Sequence, residues 1–111
     1  MNILDYLVVL VTCPQDLSKE IAKKILAKRL VACVNVIEPI QSLYWWKDNL
    51  ETDFESMLIL KTQRVLFEAL QEFILSIHPY DNPEIIALPI AHGAPMYLEW
   101  LRQETQKAVK S

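Results

Sequence analysis

The chain of 111 residues is long enough for one hydrophobic core and short for two, so a single domain over residues 1–111 is expected. Hydrophobic residues at 52% and charged residues at 23% exclude a disordered or fibrous chain. With 11 basic against 14 acidic side chains the net charge is -3, so the positive field that drives phosphate-backbone binding is missing and nucleic acid is excluded as an expected partner. The longest apolar run, Tyr6 to Val11, is far below the roughly 20 residues of a membrane span. Asp5 precedes that run and no Lys or Arg does, the wrong charge for a secretory leader. The expectation is a cytoplasmic protein with no membrane partner. Cys13 and Cys33 do not form a Cys-x-x-Cys pair, which argues against a disulfide framework or structural zinc. Gly93 is the sole glycine, which excludes the glycine-rich phosphate cradles.

Tyr6 to Thr12 is an unbroken aliphatic and β-branched run, the pattern of a strand central in its sheet. Pro14 ends it, and Asp16 is placed to cap a helix whose Leu17, Ile21, Ile25 and Leu26 recur at helical spacing up to about Leu30. Ala32 to Trp46 reads as a long strand interrupted at Glu38-Pro39, where proline removes an amide and implies a bulge. Lys47-Asp48-Asn49 is a turn signal, since Asp and Asn tolerate positive φ. Leu50 to Thr62 is the returning strand. Leu66, Leu70, Phe73, Ile74 and Ile77 mark one face of a helix over 65–77, stopped by His78-Pro79. A strand from Ile85 to Ala91 and a helix from Pro95 to Lys107 complete the chain.

The order β-α-β-β-α-β plus a final helix is the split β-α-β arrangement of an α+β, ferredoxin-like sandwich. Its hairpin arms of about 13 to 15 residues exceed the usual five or six. An arm of that length spans about 45 Å and overhangs a domain with a radius of gyration near 13 Å. Leu43, Tyr44, Trp45, Trp46, Leu50 and Phe54 then leave an aromatic patch and open edges in water. A second copy of the same surface is the simplest cover, so a homo-oligomer is expected.

Several short stretches occur together: Thr12-Cys13-Pro14, Ala32-Cys33-Val34-Asn35, Tyr44-x-Trp46, Leu60-Lys61-Thr62, His78-Pro79-Tyr80-Asp81-x-Pro83-Glu84-Ile85, Ala87-Leu88-Pro89 and Tyr97-Leu98-x-Trp100. In that order, from about residue 5 to 105, the chain resembles the CutA family of divalent-cation tolerance proteins. The resemblance implies a tight homotrimer with hairpins crossing between subunits, a likeness to PII signalling proteins, and a link to copper and other heavy metals. It implies no enzymatic reaction. Three positions depart from the family pattern: Asp48 stands where a glycine is usual, and Val11 and Ile77 stand where some relatives carry cysteine and histidine.

His78 and Cys13 are the candidate ligands for copper or another divalent cation, since a histidine and a cysteine suit soft and borderline ions. The reading favoured for His78 is nonetheless a helix-ending residue, and for Cys13 a core thiol. Cys33 reads as a strand residue and His92 as a loop residue. Lys61, on an apolar strand, needs a partner, and Glu84 or Glu55 supplies one, Glu84 being favoured. The resemblance places Tyr44, Trp46, Lys61, Tyr80 and Glu84, with His78, around clefts between subunits, where a small anionic ligand is the expected partner. Two prolines frame the loop from His78 to Glu84, which suits either a ligand site or a stiff connector. The serines lie in no nucleophile motif, so an enzyme is not expected. The remaining alternative is a metabolite-sensing or scaffolding trimer with no physiological metal.

Overall fold

The structure is a computed structural model that describes residues 5–110, so the first four residues of the segment weighed as a leader lie outside it. Four strands, β1 (Tyr6–Cys13), β2 (Cys33–Trp46), β3 (Asn49–Gln63) and β4 (Ile85–Pro89), form one antiparallel sheet in the order β2-β3-β1-β4. Three helices, α1 (Ser18–Ala27), α2 (Phe67–Ile77) and α3 (Pro95–Lys110), join them in the expected ferredoxin-like order. β1 lies inside the sheet, flanked by β3 and β4, as its unbroken apolar run requires. Among the described residues no helix is long and apolar enough to cross a membrane.

Strand periodicity divides the sheet into two faces. Leu7, Val9 and Val11 of β1 and Leu58 and Leu60 of β3 point to the face covered by Ile21 and Ile25 of α1 and Leu70 and Ile74 of α2, and this is the main core. Each of these large side chains contributes about 1.5–3 kcal/mol by leaving water. α3 covers only one end of the other face, where Tyr6, Leu98 and Leu101 form a second small cluster. The rest of that face stays open, and Ile37, Ile86 and Leu88 are each about half exposed on it.

Several boundaries differ from the sequence expectation. Asp16 does not cap α1: a single 3-10 turn, Gln15–Leu17, precedes the helix, and the buried Ser18 hydroxyl donates to the Gln15 carbonyl and to Glu38 instead. α1 stops at Ala27 because Arg29 takes a left-handed conformation at φ 60, with its guanidinium held by Glu104 on α3. A 3-10 turn, Arg64–Leu66, likewise takes the start of the second predicted helix, while His78 at ψ 136 ends α2 before the proline as expected. β4 closes at Pro89, and α3 runs on to Lys110.

The hairpin matches its prediction. Its register shifts between Ile37 and Ile40, where the cis Glu38-Pro39 peptide forms the bulge. Its turn is the two-residue Lys47-Asp48, at φ 48 and φ 64, with Asn49 already in β3. Two successive residues at positive φ are the backbone of a type I′ hairpin turn, so Asp48 takes the left-handed position without glycine. The arms give the molecule its long axis, 45 Å against 26 and 21 Å.

Candidate functional site

The loop after α2 is tied to the sheet by one imidazole. His78, nearly buried, donates from Nε2 to the Thr12 carbonyl at 2.8 Å and accepts the Tyr80 backbone N–H on Nδ1 at 3.1 Å. A carbonyl only accepts and an amide N–H only donates, so the ring is held as the neutral Nε2–H tautomer. The Tyr80 ring packs beside it at 4.7 Å, and its hydroxyl donates to the buried Glu55 carboxylate at 2.7 Å. Burial, and then the Glu55 bond, push the Tyr80 phenol well above its ordinary value. The loop is therefore fastened to β1 and β3 at two points.

A second tyrosine–carboxylate pair lies further out on the hairpin. Tyr44 on β2 donates to Asp53 on β3, and that bond, with desolvation next, pushes its phenol up to about 12. Glu51, Asp53 and Glu55 alternate along β3, so the carboxylates share one face with Tyr44. Trp46 flanks the turn, half exposed, with the Lys47 ammonium 5.8 Å from its ring centre. Asp53 escaped the sequence reading. Its signal was the register, because the turn places Tyr44 opposite Glu51 and so next to Asp53 on the diagonal.

Lys61 does not pair with Glu84 or Glu55 within the chain. It sits opposite Cys33 in the ladder, and its ammonium donates to the Asn35 side-chain oxygen and lies 3.9 Å from Cys33 Sγ. The strand geometry explains the correction: Cys33 and Asn35 share the open face with Lys61, whereas Glu55 is already held by Tyr80. Glu84, the last residue of the loop, is exposed. Asn35 was missed because strand pairing, not sequence spacing, brings it to Lys61.

The predicted soft-metal pair does not fit a copper ion in this fold. Both ring nitrogens of His78 are engaged, so neither offers a free lone pair. Cys13 is fully buried on the helix-covered face, and burial, followed by Glu55 and Glu38, pushes its thiol up to about 11, away from the thiolate that ligates metals. His92 is exposed in the loop before α3. Among the described residues no three His, Cys, Asp or Glu side chains converge to hold an ion.

An antiparallel split β-α-β sandwich with one half-open face and an overlong aromatic hairpin defines a ferredoxin-like α+β protein. The CutA1 divalent ion tolerance protein pattern matches residues 7–104, and the chain belongs to that family. It is 48% identical over 102 residues to Protein CutA of Mus musculus, covering 91% of this chain and 58% of that protein. It therefore spans less than two thirds of the length of that mammalian relative. The divalent-cation tolerance protein CutA of Thermus thermophilus is 43% identical over 99 residues, with 88% and 96% of the two chains covered. Among solved structures, CutA1 from Oryza sativa superposes with a TM-score of 0.88 at 44% identity, covering 91% of this chain and 94% of that one.

Proposed function

We propose that the chain acts in divalent-cation tolerance as a homotrimer, binding a small anionic ligand in clefts between its subunits. The observation that carries this reading is the half-covered sheet. Its open face holds apolar side chains and the Lys61 ammonium, beside a hairpin on which Leu43, Leu50 and Phe54 are each 62% exposed and Trp45 73%. A surface of this kind is stable in water once another chain covers it. Tyr44, Trp46, Lys61, Tyr80 and Glu84 then line the cleft, the ammonium attracting the anion and the aromatic rings packing against its apolar part. The role is binding rather than catalysis, and a cytoplasmic location belongs to the same proposal. The family kinship supports the tolerance role.

Commitment of both His78 nitrogens favours a second reading, a PII-like metabolite-sensing or scaffolding trimer with no physiological metal. Calorimetric titration with copper separates the two. Tight binding that is lost in His78→Ala or Cys13→Ser supports a metal role, and binding indifferent to both substitutions supports the sensor. Light scattering coupled to size exclusion tests the assembly, for which three chain masses are expected. A single chain mass at micromolar concentration overturns the cleft and the trimer together.

A further inference from the structure

Cys33 and Lys61 are direct cross-strand partners in the β2–β3 ladder, so their side chains rise next to each other on the open face. Lys61 Nζ is 3.9 Å from Cys33 Sγ. Asn35, two residues along β2 on the same face, accepts the ammonium on its side-chain oxygen and lies 3.8 Å from the thiol, which holds the two reactive ends together. Both partners are only half-buried, within reach of a solute as small as peroxide. Cys13, the other cysteine, points to the helix-covered face of the same sheet and is fully enclosed. It cannot reach Cys33 to form a disulfide across the sheet. An oxidised Cys33 therefore has the Lys61 amine, not a second thiol, as the nitrogen nucleophile beside it, the Asn35 side-chain oxygen and the Tyr97 phenol being its other neighbours.

We propose that Cys33 and Lys61 form an oxidation-dependent covalent crosslink in which one oxygen atom bridges Nζ and Sγ. One peroxide converts the thiol to a sulfenic acid and releases water. Once the ammonium has passed a proton to solvent, a second peroxide supplies the oxidising equivalents that turn an N–H bond of the amine into the N–O bond, with loss of two further waters. One oxygen remains between nitrogen and sulfur, and the four electrons removed from the two side chains reduce the two peroxides. An oxygen bridge asks the pair to close less distance than a direct N–S bond would. Two equivalents of a dithiol reductant supply the four electrons that reverse the reaction: the first attacks the sulfur and returns the thiol, leaving a hydroxylamine on Lys61, and the second reduces the N–O bond to the amine with the oxygen leaving as water. Bridging removes the Lys61 charge from the open face and ties the two strands together. The proposal goes beyond the ligand reading above and does not depend on it.

The test is intact-mass and peptide mass spectrometry of the full chain after hydrogen peroxide, before and after a dithiol reductant. The expected product is about 14 Da heavier, one oxygen gained and two hydrogens lost. Trypsin no longer cuts after Lys61, the Cys33 and Lys61 peptides run as one species, and the reductant restores the starting mass. Lys61→Arg and Cys33→Ser, checked for folding by circular dichroism, lose the joined species. The proposal is overturned by whole-oxygen gains confined to Cys33, by a Cys33 disulfide between chains, by an unmodified Cys33, or by the same product in Lys61→Arg. Each readout is indifferent to whether the clefts bind a ligand.

Discussion

His78 does its work as a neutral hydrogen-bonding bracket between β1 and the loop that follows α2. Replacing it with alanine strands the buried Thr12 carbonyl and the Tyr80 amide, at a cost of about 1–3 kcal/mol in urea unfolding. Faster amide exchange confined to residues 79–84 should accompany that loss, and unchanged exchange there would show that the prolines alone hold the loop. Tyr80→Phe leaves the buried Glu55 carboxylate without its donor and is expected to cost a similar amount. Glu38 is expected to contribute to the acid sensitivity of this end of the molecule. Bonds from Ser56 first, and Ser18 next, hold its carboxyl below the ordinary carboxylate range. A depressed folded pKa contributes stability that is present above the unfolded pKa and disappears as pH falls through the folded one. Glu38→Gln should therefore lower stability at neutral pH and flatten the acid limb of the stability curve, measured by urea midpoints from neutral pH down to pH 3.

Among the elements, the hairpin departs most from ordinary proportions, with arms of 14 and 15 residues. Its register rests on a two-residue turn and one bulge, both set by local backbone chemistry. Asp48→Val puts a β-branched side chain at φ 64 and is expected to destabilise the protein by about 1–2 kcal/mol, read from the urea midpoint. A neutral result would mean that the tip frays in solution and stores no strain. α1 depends on contacts beyond itself at both ends. Ser18 reaches the bulge of β2, and Arg29 turns the chain back while its guanidinium meets the Glu104 side chain 3.0 Å away. That ion pair is exposed, so Arg29→Ala is expected to change stability by less than about 1 kcal/mol through charge alone.

For the whole molecule, the sheet is a finished core on one face and an unfinished one on the other. Ile59 belongs to the open set, half-buried beside β1 and outside the main core. Ile59→Asp is expected to leave the subunit fold intact by circular dichroism while the protein elutes at a single chain mass. Removal of the hairpin tip from Trp45 to Leu50 should do the same. If either variant keeps the three-chain mass proposed for the parent protein, the open face is not where the proposed trimer packs.

Element types and their order were legible in the sequence because each reflects a local signal: an aliphatic run for β1, helical spacing for α1 and α2, proline and paired turn residues between them. The hairpin and its aromatic exposure were equally legible, since length and composition alone exceed what one domain can bury. Residue pairings were not. Lys61 on Asn35, Tyr44 on Asp53 and Tyr80 on Glu55 depend on strand register and on a bulge, and a one-residue slip would reverse every face. His78 shows the same division most sharply. The sequence determined that it ends a helix, because a proline follows it; only the tertiary fold decided that both nitrogens are engaged, because the Thr12 carbonyl arrives from a strand 66 residues earlier.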